Sequence, residues 1–234
     1  PHDISGKQVL QYLPQGEGAD DLIYLMNASQ MVLHNHPVNK KRSERDDLPA
    51  TSIWLWGHGK SPVLQPYQQK FGLSGAVISA VDLLKGIGIS AGLEVITVPG
   101  ATGYIDTNYR GKAEAALDAL NRMDFVYVHV EAPDEASHSG SLENKIKAIE
   151  DFDRLVVGTV LDGAERFDDL RVLCCPDHPT PVKKMTHTSD PVPFVIYRAG
   201  QNNGNGAEAY NEVQARQTGL YLEQGPQLMQ LLLA

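Results

Sequence analysis

Residues 124–138 read DFVYVHVEAPDEASH. The first seven form an apolar run, built on Phe125, Val126, Tyr127, Val128 and Val130, that has the length and composition of a strand. The run stops at Glu131, and Asp134, Glu135 and His138 follow at once. A near-continuous apolar strand marks burial on both faces, and such strands carry ligand sites beyond their carboxyl ends. Asp134 and His138 are four residues apart, so one helical turn places them on a common face.

The same alternation extends outward in both directions. GAVISA (75–80), LEVITV (93–98), LRVLCC (170–175) and VPFVIY (192–197) are further short apolar runs. Helical spacing fills the gaps. Ala113, Ala116, Leu117, Leu120 and Met123 make one stripe, and Leu142, Ile146, Ile149, Phe152, Val156 and Val160 make another. This pattern predicts an α/β fold with a mainly parallel sheet and helices on both faces. Upstream the character differs. A helix is expected over 19–34, with Asp20 and Asp21 in its first turn and Leu22, Leu25, Met26, Ser29 and Leu33 near one face. The charged stretch NKKRSERDD (39–47), a strand TSIWLW (51–56) and a turn GHGKSP (57–62) follow. Residues 1–61 are therefore expected to be part of a smaller α+β domain, and 62–234 the core.

Bulk properties narrow the function classes. The 234 residues suffice for a real core, with 42% hydrophobic and 21% charged residues, as in soluble globular proteins. A formal charge of −9 argues against nucleic acid or an anionic membrane as partner, while leaving room for a local basic pocket. No apolar run approaches the length that spans a bilayer. Cys174 and Cys175 are adjacent, and are expected as buried thiols in a reducing, cytoplasmic compartment. The glycines of KGIGISAG and GATG do not make the dinucleotide-binding spacing.

Two further polar clusters stand at strand ends. Asp177 and His178 follow LRVLCC in PDHPTP, and His187 precedes VPFVIY in MTHTSDPVPF. Carboxylate and imidazole donors together suit Mn²⁺ or Zn²⁺. Two clusters suggest two ions about 3.5–4 Å apart, the spacing that clamps an in-line phosphoryl displacement. Taken singly, Asp134 also suits a helix cap, His138 a surface position and His187 a satisfied loop position. The combination at three strand ends carries the metal reading.

With APDEASHSGSLENKIKAIEDFD (132–153), PDHPTPVKKMTHTSDPVPFVIY (176–197) and GLSGAVISAVDLLKGIGISAGLEVITVPGATGYIDTNYRGKAEAAL (72–117), the chain resembles the archaeal-type, cofactor-independent phosphoglycerate mutases of the alkaline phosphatase superfamily. That resemblance implies an alkaline phosphatase-like core, incomplete in this chain, with an inserted domain that closes over substrate. It implies interconversion of 2- and 3-phosphoglycerate through a phosphoserine, two divalent ions (Mn or Zn, or Mg) and no 2,3-bisphosphoglycerate. Asp134, His138 and His187 would hold the first ion, and Asp177 and His178 the second. Lys85 would neutralise the phosphoryl group and nucleophile. His2, Arg42 and Arg45 would grip a small phosphorylated hydroxy acid, for which guanidinium forks are suited. Neither nucleic acid nor membrane is implied, and assembly of identical copies is compatible with the pattern.

Two departures accompany the resemblance. The family's early section, with an aspartate ligand and the serine nucleophile, finds no match. The chain is thus expected to lack an N-terminal part and to be inactive alone, since Ser79, Ser137 and Ser139 do not stand in the matching motif. Pro176 and Pro179 replace small or hydroxyl residues in the second-metal loop, which fixes φ and removes two N–H groups. The competing readings are another phosphatase or phosphomutase of the same superfamily, and a metal-binding module without catalysis.

Overall fold

The computed structural model describes residues 4, 6–57, 59–201, 204 and 206–234. His2 lies outside them. The chain forms two compact units, 1–62 and 63–234.

In the first unit, helix α1 (Ala19–His34) begins with Asp20 and Asp21 in its first turn. Met26 is its buried anchor, whereas Leu25 is exposed and does not join the expected apolar face. Helix α2 (Pro37–Ser43) starts on a proline and is capped by the His36 ring, which accepts from the Val38 amide. The buried Asn39 side chain bonds the Leu33 and Ala50 carbonyls and accepts from the Ala50 amide, so one residue fixes the return of the chain. The strand expected at 51–56 does not form. Its polar groups are taken by α1 instead: Ser29 Oγ accepts from the Ile53 amide and Ser52 Oγ donates to the Met26 carbonyl. An apolar run without a partner strand has no ladder to join.

The second unit runs α3 (Tyr67–Phe71), β1 (Gly75–Ile78), α4 (Asp82–Ser90), β2 (Glu94–Val95), α5 (Tyr109–Ala119), β3 (Phe125–Val128), α6 (Ala132–His138) and α7 (Leu142–Phe152). A π-helical turn at Asp153–Val157 leads into α8 (Gly158–Asp162), and then come β4 (Arg171–Cys174), β5 (Val195–Arg198), α9 (Glu212–Gln217) and α10 (Gln227–Leu233). Strands β2, β1 and β3 make a parallel sheet in that order, with Ile78 opposite Val128. All four residues of the central strand are buried, because helices cover both of its faces. Val77 points to α4, where a methyl group on Gly88 would lie 2.4 Å from its Cγ1. Ile78, one residue on and so on the opposite face, packs with Val98 and Ala116 of α5.

Three expectations need correction. Strands β4 and β5 form a separate antiparallel pair, with Cys174 opposite Val195. No helix lies between them to make the crossover that parallel pairing requires. The stripe expected from Leu142 to Val160 is also broken. Val156 is buried, yet Leu142, Ile146 and Ile149 are exposed, and α7 buries Ala148 and Asp151 instead. The π turn adds a residue to the helical repeat and so turns the apolar face by about 100°. Cys174 is partly buried, with its thiol pushed up to about 11 by that burial, but Cys175 is exposed, not buried as expected. Among the described residues no helix is long and apolar enough to cross a membrane.

Candidate metal centre

Three loops meet at one end of the second unit. Helix α6 follows the C-terminal end of β3. Asp177 and His178 follow β4, and His187 precedes β5. Antiparallel pairing puts the end of β4 beside the start of β5, so the two loops share a rim. Thr188 N–H donates to the Pro179 carbonyl (3.0 Å) and ties them together.

Helix α6 aims its two donors by its own geometry. Pro133 occupies its first turn, and the Asp134 and Glu135 amides bond the Glu131 carbonyl. Ala132, Ala136 and Ser137 form its buried side, where small residues allow close approach to the neighbouring helix. Asp134 and His138 then stand one turn apart, with His138 Nε2 3.2 Å from Asp134 Oδ2. Gly140 lies just past the end of α6; its φ of +73° favours glycine, and a methyl group there would lie 3.0 Å from Met185 Sδ. That approach matters, because the Met185 carbonyl accepts from His138 Nδ1 at 2.9 Å. Met185 itself has a φ of +52°, a left-handed conformation that costs a non-glycine residue roughly 1–2 kcal/mol.

The donors converge. His187 Nε2 lies 3.0 Å from His138 Nε2 and 3.4 Å from Asp134 Oδ1. Ligand atoms 2.0–2.1 Å from an ion stand about 3.0 Å apart at octahedral corners and about 3.4 Å apart along a tetrahedral edge. The observed spacings match those edges. With Nδ1–H donated to a carbonyl, His138 turns the lone pair of Nε2 toward the cluster, the orientation that a metal-binding imidazole needs. The donor set thus fits a borderline divalent cation.

His178 joins this cluster rather than standing apart. Its ring stacks on His187 with centroids 3.7 Å apart, and its Nδ1 is 4.0 Å from Asp134 Oδ1. Asp134, His178 and His187 offer atoms that all lie within 4.8 Å of one another. Asp177 reaches the group through His178, with Oδ2 3.4 Å from Nε2, and is largely exposed. Lys85, on α4, bonds Asp82 Oδ1 at 3.0 Å. In the first unit, Arg42 Nε donates to the Leu48 carbonyl (2.7 Å) and Arg45 pairs with Asp47 (3.3 Å).

Sequence reasoning did not single out several residues of the site. Thr180, buried, donates its hydroxyl hydrogen to Asp134 Oδ1, and its carbonyl accepts from Lys145 Nζ at 2.7 Å. A hydroxyl two residues beyond His178 in PDHPTP was the available signal. Glu131 lies within 4.8 Å of Asp134 and Glu135, and its carboxyl is raised above the usual range by burial and by those two neighbours. His129 Nδ1 is 3.2 Å from Ser79 Oγ, and burial lowers the ring below the usual imidazole range.

A sequence profile of the Metalloenzyme superfamily matches residues 17–234. The chain is 58% identical over 233 residues to a probable 2,3-bisphosphoglycerate-independent phosphoglycerate mutase of Geobacter sulfurreducens, covering 100% of this chain and 58% of that protein. It is 52% identical to the 2,3-bisphosphoglycerate-independent phosphoglycerate mutase of Methanosarcina acetivorans, covering 99% of this chain and 59% of that one. Among solved structures, the PH0037 protein of Pyrococcus horikoshii aligns over 88% of this chain and 54% of its own, with a TM-score of 0.73 and 30% identity. The cofactor-independent phosphoglycerate mutase of Thermoplasma acidophilum aligns over 92% of this chain and 51% of its own, with a TM-score of 0.55 and 26% identity. The chain thus spans less than two thirds of the length of each of these proteins.

Proposed function

The chain belongs to the Metalloenzyme superfamily, and we propose that it carries the metal-binding part of a 2,3-bisphosphoglycerate-independent phosphoglycerate mutase. The observation that carries the reading is the convergence of Asp134, His138 and His187 with donor spacings of 3.0–3.4 Å. The names of the two relatives supply the substrate class, a small phosphorylated hydroxy acid.

In this reading Asp134, His138 and His187 hold one divalent cation, and Asp177 and His178 contribute to a second. Bound there, two divalent ions (Mn or Zn, or Mg) would stabilise the charge on a transferring phosphoryl group and its attacking and leaving oxygens. The chain's own residues prepare that environment. The Met185 carbonyl holds the His138 tautomer, and the Thr180 hydroxyl orients Asp134. Lys85, on the helix that follows β1, supplies a cation near the phosphoryl group. His2, Arg42 and Arg45 bind the phosphate and carboxylate of the substrate. The serine nucleophile is contributed from outside the residues of this chain, and the reaction takes place in the cytoplasm, without 2,3-bisphosphoglycerate, as a step of glycolysis.

The test compares the full-length protein with this chain, each stripped by a chelator and reloaded with Mn²⁺, Zn²⁺ or Mg²⁺. Full-length protein should interconvert 2- and 3-phosphoglycerate only when reloaded, and the chain alone should not. Hydrolysis of an aryl phosphate with no phosphoglycerate turnover would move the assignment to a phosphatase. Strong mutase activity from this chain alone would overturn the placement of the nucleophile.

A further inference from the structure

Among the described residues of the second unit, Lys112 is the largest side chain with no exposed surface. It lies on α5 among Tyr109, Ala113, Ala116 and Leu117, where an apolar residue would pack as well. An ammonium group in that position is retained only if its partners repay its desolvation. Its Nζ donates to the His129 carbonyl at 3.1 Å; burial pushes its pKa below the usual lysine range, and the Glu131 carboxylate opposes that shift.

His129 directly follows β3 on the way to α6. Its amide is held by the Ile78 carbonyl (2.9 Å) and its ring by Ser79 Oγ (3.2 Å), which also accepts from the Val81 amide (3.0 Å). Lys112 takes the third side, the carbonyl. Two residues further on, the Glu131 carbonyl accepts the Asp134 and Glu135 amides and so sets the first turn of α6. Three carboxylates crowd there, those of Glu131, Asp134 and Glu135, with oxygens within 4.8 Å of one another. Lys112 opposes that crowding at Glu131, as Lys145 does at Asp134.

We infer that Lys112 is a positioning residue for the metal centre, fixing the strand-to-helix junction at His129–Glu131 and thereby where α6 presents Asp134 and His138. The inference deepens the metal reading above and rests on it for the cation.

The variants are Lys112→Met, which keeps the volume and removes both donor and charge, and Lys112→Gln, which keeps a donor. Amide hydrogen exchange in the metal-free full-length protein should accelerate about tenfold or more over 129–138 in Lys112→Met, with β1 and α5 unchanged and Lys112→Gln intermediate. Unchanged exchange, or acceleration spread evenly over the unit, would overturn the inference. Mn²⁺ affinity should fall at least about tenfold in Lys112→Met, the scale on which supporting residues act, and an affinity equal to or above that of the parent would also overturn it. Parent protein that binds no Mn²⁺ would count against the metal reading, while exchange still decides the hold of Lys112 on α6. Should Lys112→Met not fold, nuclear magnetic resonance of the parent decides: a slowly exchanging Lys112 ammonium signal coupled to the His129 carbonyl is expected, and its absence contradicts the proposal.

Discussion

At the scale of single residues, Asp134 is the common neighbour of the site. His138, His187 and His178 all lie within 4.0 Å of its oxygens, and Thr180 donates to it. Asp134→Asn keeps the shape but replaces an anionic oxygen donor with a neutral amide. Mn²⁺ or Zn²⁺ affinity, read by calorimetric titration, should then fall by more than the 10–100-fold that supporting residues typically cost. Asp177 is exposed and touches the cluster only through His178. Asp177→Asn should therefore weaken the affinity less than Asp134→Asn does. The candidate ligands could be picked out of the sequence because a carboxylate and imidazoles at strand ends are unusual by residue type. Their supports were not. The Met185 carbonyl is backbone and carries no residue signature, and Lys112 within GKAEAAL reads as an ordinary polar helix position until its burial is seen.

At the scale of elements, packing decides signs that propensity alone would get wrong. Gly88 lies inside α4, where alanine normally stabilises a helix by about 0.5–1 kcal/mol. Here a methyl group would lie 2.4 Å from Val77 Cγ1, so the helix would have to lift from the sheet. Gly88→Ala should lower stability by about 1–3 kcal/mol in a denaturant titration, the usual cost of overpacking. The β4–β5 pair has a different control. Arg171 and Arg198 stand directly opposite each other, an unfavourable like-charge pair that Asp169 reconciles by accepting from Arg198 Nε (2.7 Å) and Arg171 Nη2 (3.2 Å). Hydrogen bonds from Arg198 and then Arg171 hold the Asp169 carboxyl below its usual range. Its stabilising effect is therefore present above the ordinary aspartate pKa of about 3.9 and is lost as pH falls through that value toward the folded one. Unfolding temperatures followed from pH 7 to pH 2 should drop less steeply at the acid end in Asp169→Asn than in the parent. Alternating strands and helices were readable from apolar periodicity, but the antiparallel sense of β4 and β5 was not. An apolar run looks the same in either direction, and only the missing crossover helix distinguishes them.

At the scale of the whole molecule, the second unit exposes apolar surface, and the sequence pattern assigned the α7 part of it to the interior. Leu142, Ile146 and Ile149 of α7 face solvent, as do Leu83 and Ile87 of α4. Within this chain each is a surface residue, and Ile146→Ala should change its stability by no more than about 0.5 kcal/mol. The helical repeat of α7 was legible, but the π turn that rotates its inward face was not, since no residue type marks such a turn. What did carry over from sequence to structure is the gathering of three separate loops at one rim of an α/β unit. The most direct test is anomalous diffraction at the Mn and Zn absorption edges from crystals of the full-length protein grown with each ion. The expected result is an ion bound by the Asp134 carboxylate and the Nε2 atoms of His138 and His187. Crystals with no anomalous peak within bonding distance of those three side chains would contradict it.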